Sequence, residues 1–89
     1  MLFVEKTATE KRASFRKALQ LGPILRFPGA HAPLVAMEIE RQKFDGIYIS
    51  GAALSADLGL PDIGLTTLSE VAQRGRQIAR VTSLPSIID

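Results

Sequence analysis

An α/β fold with parallel strands is the class that this sequence of 89 residues predicts, and three patterns predict it. Short apolar stretches alternate with helical periodicities of about ten residues or more, the order that joins parallel strands through right-handed crossovers. Two helix starts share a capping-box spacing, Thr7 with Glu10 and Thr67 with Glu70. In that motif the threonine oxygen accepts an early backbone N–H while the glutamate reaches back. A Gly-Ala step follows each of the first two strand candidates, Gly29-Ala30 and Gly51-Ala52, as equivalent corners of a βα array would show.

The first helix runs from the Thr7 cap to Leu21, with Phe15, Ala18 and Leu19 on one face and Lys11, Arg12, Arg16 and Lys17 largely elsewhere. Gly22-Pro23 ends it, since glycine can terminate a helix and proline cannot continue one. Ile24–Phe27 is a short strand candidate, closed by Pro28-Gly29. A second helix starts at Pro33, a residue suited to the first helical position. It runs to about Lys43, with Leu34/Met37 and Val35/Ile39 as spaced apolar pairs. The second strand, Gly46–Ser50, points Tyr48 and Ser50 to one face and Ile47 and Ile49 to the other. It breaks at Gly51 into a small-residue loop that continues to Asp62.

The clearest helix opens at Thr67 and places Leu68, Val71, Ala72, Gly75, Ile78 and Ala79 on one face. Gly75 costs about 1 kcal/mol against alanine there, so it reads as permitting close approach to a sheet. Ser86–Asp89, introduced by Pro85, is the third strand. Three parallel strands leave two unpaired edges and one incompletely covered face. The chain is therefore expected to be cut short.

Composition narrows function. With no cysteine and a single histidine, His31, there is neither a disulfide framework nor a thiolate or histidine-rich zinc site. The net charge of +2 is weak. Its basic residues fall on predicted helices without an aromatic-interleaved motif, so no nucleic-acid partner is expected. No apolar run approaches the roughly 20 residues of a membrane span, and the start lacks a signal peptide's basic leader and long apolar core. A cytoplasmic location without membrane contact is expected.

The carboxyl end of the second strand is the candidate site. From Phe44 to Gln73 the only charged residues are Asp45, Asp57, Asp62 and Glu70, a setting that welcomes a metal cation. Residue chemistry alone leaves alternatives open: Tyr48 and Ser50 suit core or rim packing, Asp62 a turn, and His31 a hydrogen-bonded loop. A Ser50/Asp62/His31 triad lacks a nucleophile elbow around Ser50. Gly59 and Gly64 have P-loop glycine spacing, yet Leu65-Thr66 follows where lysine and a hydroxyl residue are needed.

Five segments, in order, carry a resemblance: Phe27–His31, Ile47–Gly51, Leu58–Gly64, Leu65–Leu68 and Ser83–Asp89. Together they resemble the isocitrate lyase and phosphoenolpyruvate mutase superfamily, and within it the 2-methylisocitrate lyases, over most of Phe15–Asp89. The resemblance implies the opening part of a (β/α)8 TIM barrel: an N-terminal helix, then strand–helix–strand–helix–strand. Residues 1–89 would be a single incomplete domain, the N-terminal third of that barrel. The implied activity is a Mg2+-dependent carbon–carbon lyase that cleaves 2-methylisocitrate to pyruvate and succinate in propionate catabolism. Its full-length form would be a homotetramer acting on a small tricarboxylate.

By the same resemblance, Tyr48, Ser50, Gly51 and Ala52 would bind substrate, with the N–H groups of Gly51 and Ala52 on the keto-acid end. Asp89 would be the first acid of a metal-binding Asp-x-Asp pair, and Asp62 would act near the metal or through water. The catalytic cysteine and the second acid are expected beyond Asp89, so the 89 residues alone are expected to be inactive. Ala52 stands where many close relatives carry glycine, and Ala32-Pro33 replaces an acid often found after position 31. Two other readings accompany this one. One is a sister activity on the same barrel (isocitrate lyase, oxaloacetate decarboxylase or a phosphonate enzyme); the other is a non-catalytic barrel fragment.

Overall fold

Alternating burial organises the sheet. In the computed structural model, which describes residues 3–89, β1 (Ile47–Ile49) turns Ile47 and Ile49 into the core at 0% and 5% exposure and leaves Tyr48 half-buried. On one side β1 pairs in parallel with β2 (Ser86–Ile88), Ile47 opposite Ser86 and Ile49 opposite Ile88. On the other side lies residues 26–30. The Tyr48 N–H donates to the Pro28 carbonyl and the Ala30 N–H to the Tyr48 carbonyl, both at 2.9 Å.

The expected strand Ile24–Phe27 is therefore corrected to a single parallel bridge at Gly29 and Tyr48. Pro28 has no N–H with which to extend a ladder. The Arg26 N–H goes instead to Asp45 Oδ2 at 2.8 Å, and Ile24 is 89% exposed.

The helices follow their local signals closely. In α1 (Ala8–Leu21) both halves of the Thr7/Glu10 capping box form, and Gly22 closes the helix at φ 94°, a left-handed conformation that glycine adopts without penalty. Nothing in α1 is fully buried. It is held by the Phe15 ring, 5.1 Å from that of Phe27, and by Lys11 Nζ, which donates to the Ala79 carbonyl at 2.6 Å. A cation is favourable there, at the negative end of a helix. The next helix, α2 (Pro33–Arg41), starts on proline as expected and stops short of Lys43, which takes φ 67°.

Where a loop was expected after β1, the chain forms α3 (Gly51–Asp57). Ser50 Oγ accepts the Ala53 N–H at 3.2 Å, a favourable N-cap, and Ala52, Ala53, Leu54 and Ala56 are good helix formers. Leu54 and Ser55 are buried.

The last helix, α4 (Leu68–Ala79), forms both halves of its capping box and packs on α2. Ile78 joins Ala30, Ala36, Ile39, Ile47, Ile49 and Val81 in the core. Its expected inner face is buried only toward the C-terminal half: Leu68 is 84% exposed and Ala72 is exposed as well. Nothing among the described residues covers the first turn.

Gly75 also departs from expectation. An added Cβ would meet Ile88 Cδ1 at 3.9 Å, an ordinary contact, so close approach does not require glycine. Gly75→Ala is expected to stabilise the protein by about 0.5–1 kcal/mol, because alanine loses less backbone freedom on folding. A lowered thermal midpoint would contradict this.

Glu40 ties the end of α2 to the turn that leads into β2. Its Oε1 accepts the Ser83 N–H at 2.8 Å, the Thr82 hydroxyl at 3.2 Å and the Ser83 hydroxyl. Partial burial pushes this carboxyl up, but the Ser83 and Thr82 donors, with Lys11 nearby, outweigh it and hold it below its ordinary 4.5. A carboxyl depressed by folding contributes stability above its unfolded pKa and loses it as the pH falls through the folded value. Glu40→Gln is thus expected to cost about 1–2 kcal/mol near neutrality, allowing for solvent screening. It should also flatten the loss of stability below about pH 4.5. Urea unfolding at pH 7 and pH 3 checks both, and parallel pH curves for the two proteins would refute the assignment.

Candidate functional site

Parallel strands finish at the same end of a sheet, so the residues that follow β1 and β2 meet. The Tyr48 hydroxyl donates to Asp89 Oδ2 at 2.8 Å, and the Gly51 N–H donates to Asp89 Oδ1 at 3.3 Å. One carboxylate therefore takes a phenol on one oxygen and a backbone amide on the other. Ser50 Oγ accepts the Ala53 N–H, and the Ser50 hydroxyl lies close enough to Tyr48 to lower its phenol pKa. Ala52 is exposed in the first turn of α3, where backbone N–H groups lack helical acceptors. Tyr48, Ser50, Gly51 and Asp89 thus share one end of the sheet, with Ala52 on its rim.

Charges follow the hydrogen bonds. The bond to Asp89 pushes the Tyr48 phenol above its ordinary 10.0, with lesser contributions from desolvation and from the charges of Asp89 and Asp62, against a lowering by Ser50. The Tyr48 hydroxyl, then the Gly51 N–H, holds the Asp89 carboxyl below its ordinary 3.8. At neutral pH the pair is a protonated donor and an anionic acceptor.

Asp62 stands apart on the exposed loop after α3. Among the described residues it forms no hydrogen bond to Asp89, and only its field reaches Tyr48. His31 is also exposed, and it contributes its carbonyl, which accepts Arg74 Nη1 at 2.7 Å. No Ser50/Asp62/His31 relay forms, since among the described residues no hydrogen bond links the three and Ser50 Oγ serves as the cap of α3.

No group of three or more His, Cys, Asp or Glu side chains that could hold a metal gathers among the described residues. What the site offers is the Asp89 carboxylate, whose hard oxygens each retain a lone pair beside the one used. That fits a share in Mg2+ binding, because Mg2+ is commonly held by one or two carboxylates and completed by water and substrate.

Two features of the site's surroundings escaped sequence reasoning. One is α3 itself, for which the Ser50 cap ahead of an alanine-rich run was the available signal. The other is Arg74, whose Nη1 also reaches Asp57 Oδ2 at 2.8 Å. Its place on the polar face of α4 gave no warning.

The sequence profile of the phosphoenolpyruvate phosphomutase family matches residues 15–89. The chain belongs to that family. It is 58% identical over 81 residues to probable 2-methylisocitrate lyase 2 of Corynebacterium glutamicum, covering 91% of this chain and 26% of that protein. To 2-methylisocitrate lyase of Bacillus subtilis it is 38% identical over 85 residues, covering 96% of this chain and 28% of the relative. The crystal structure of phosphonopyruvate hydrolase in complex with oxalate and Mg++ matches with a TM-score of 0.86 at 38% identity, over 89% of this chain and 28% of that one. This phosphomutase-family chain thus spans about a quarter of the length of the curated relatives it matches. Its fold is the opening part of their (β/α)8 barrel, an N-terminal helix followed by parallel βα units. Among the described residues no helix is long and apolar enough to cross a membrane.

Proposed function

We propose that residues 1–89 are a single incomplete domain, the N-terminal third of a barrel lyase that cleaves 2-methylisocitrate to pyruvate and succinate. The observation that carries this reading is the Tyr48–Asp89–Gly51 constellation at the carboxyl ends of two parallel strands, where barrel enzymes hold their chemistry. The 58% identity to the Corynebacterium glutamicum protein favours this substrate.

Asp89 would hold Mg2+ directly, with Asp62 farther out or acting through water. The bound ion supplies Lewis-acid stabilisation of the negative charge that develops on the keto-acid oxygens as the carbon–carbon bond breaks. Tyr48 keeps the Asp89 carboxylate oriented and ionised. The Ser50 hydroxyl and the Ala52 N–H hold the end of the tricarboxylate that becomes the keto acid, where the small side chains of Gly51 and Ala52 let the substrate approach the backbone while the Gly51 N–H stays on Asp89. The catalytic cysteine belongs to chain beyond Asp89, so these residues bind and orient without turning over alone. A cytoplasmic homotetramer serving propionate catabolism completes the proposal.

A second reading, chemistry on a phosphonate, is favoured by the TM-score of 0.86 to phosphonopyruvate hydrolase. The full-length protein, given 2-methylisocitrate, isocitrate and phosphonopyruvate in parallel with Mg2+, separates the two. Preference for 2-methylisocitrate is expected. Turnover of phosphonopyruvate alone would replace the lyase with the second reading.

A further inference from the structure

One guanidinium joins three corners of the candidate site's scaffold. Arg74, in the middle of α4, donates from Nη1 to the His31 carbonyl at 2.7 Å and to Asp57 Oδ2 at 2.8 Å. His31 lies in the turn after the Gly29 bridge, and Asp57 is the last residue of α3. The ion pair is partly sheltered, with the Arg74 side chain 22% and the Asp57 side chain 39% exposed. Arg74 in turn holds the Asp57 carboxyl below its ordinary range.

Helix α3 needs an anchor of this kind. At seven residues it is too short to persist on its own hydrogen bonds. A cleft of about 260 Å³, lined by Leu54, Leu58, Glu70, Gln73, Arg74 and Gln77, runs between it and α4. Apolar packing therefore fixes the middle of α3, at Leu54, more firmly than its far end. The near end carries Gly51, whose N–H meets Asp89, and Ala52 beside it. A short helix pivoting on Leu54 converts any movement of Asp57 into a movement of those N–H groups.

We propose that Arg74 is a positioning residue: by holding Asp57 and the His31 carbonyl it sets where Ala52, at the other end of α3, presents its N–H to the keto-acid end of the substrate. The role rests on the keto-acid site assigned above; the Arg74 tie itself does not. That N–H would hold the carboxylate of this end, whose charge is the same in ground and transition states. Its displacement then weakens binding more than it slows chemistry.

The test uses the full-length protein with Arg74→Met and Asp57→Asn variants, and Arg76→Met on the same helix as a control. Oxalate affinity in the presence of Mg2+ reads the keto-acid site without turnover, and amide hydrogen exchange reads α3 directly. Arg74→Met is expected to weaken oxalate and raise KM for 2-methylisocitrate by about tenfold, with kcat within about twofold. Exchange at Ala53, Leu54 and Leu58 should quicken about tenfold while α1 is unchanged. Asp57→Asn should fall between, and Arg76→Met should match wild type.

Faster exchange with unchanged oxalate affinity and KM would overturn the positioning role and leave a structural brace. Unchanged exchange would remove the tie itself. A wild-type protein that binds oxalate but does not cleave 2-methylisocitrate would sink the lyase reading, and the oxalate and exchange measurements would still decide the role of Arg74.

Discussion

Asp89→Asn in the full-length protein is expected to lower kcat/KM by roughly 10²–10³-fold, the range seen when one preorganised electrostatic partner is removed. The aspartate receives two donors, Tyr48 Oη at 2.8 Å and the Gly51 N–H at 3.3 Å. An ionised carboxylate accepts at both oxygens, whereas an amide turns an NH2 toward one of those donors. The substitution thus removes the negative charge proposed to hold Mg2+ and breaks one of the two bonds that aim it.

The pH profile carries the same logic. Because Tyr48 and Gly51 hold the Asp89 carboxyl below 3.8, its contribution should persist down to that region and fade only at lower pH. Because Asp89 pushes the Tyr48 phenol above 10.0, the donor should survive moderately alkaline conditions. Tyr48→Phe keeps the charge and loses the orientation, so its defect should be smaller than that of Asp89→Asn. Steady-state kinetics across a Mg2+ titration checks the series, and an Asp89→Asn protein with wild-type kcat/KM would remove Asp89 from the site.

Gly46→Ala is expected to be the most damaging small substitution in the scaffold. A Cβ at Gly46 would fall 2.1–2.6 Å from three carbons of the Phe27 ring, well inside contact distance. Phe27 cannot swing away freely, since its ring packs on Phe15 of α1 at 5.1 Å. The backbone on both sides is also pinned: the Arg26 N–H donates to Asp45 Oδ2, and the Asp45 N–H to the Arg26 carbonyl. Overpacking of this kind costs about 1–3 kcal/mol. Thermal unfolding should show the loss, and Phe27→Leu introduced with Gly46→Ala should recover part of it. An unchanged midpoint for the single variant would mean that the ring relocates without cost.

Local chemistry makes much of the fold legible in the sequence. The two capping boxes, the Gly22 stop, the Pro33 start and the inward Ile47 and Ile49 all depend on neighbours within a turn or on simple alternation. The resemblance of the motifs supplied the barrel, which three short parallel segments could not specify alone.

Five features depend on distant partners or on a subtler local signal. Ile24–Phe27 looks like a strand, but pairing shifts to Gly29 because Pro28 lacks a donor and Asp45 takes the Arg26 N–H. The apolar face of α4 states what can be buried, not whether anything lies across Leu68. The Gly51-Ala52-Ala53 run reads as loop until Ser50 is recognised as a cap. The bond from Tyr48 to Asp89 joins residues 41 positions apart, and only the register of β1 against β2 brings them together. Arg74, on a polar helix face, becomes meaningful once α3 exists to be anchored.

The most direct measurement is product analysis by NMR after the full-length protein meets 2-methylisocitrate with and without Mg2+. Equal amounts of pyruvate and succinate, formed only with the ion and lost in Asp89→Asn, are predicted. Substrate that stays intact under both conditions would contradict a lyase built on this end of the sheet.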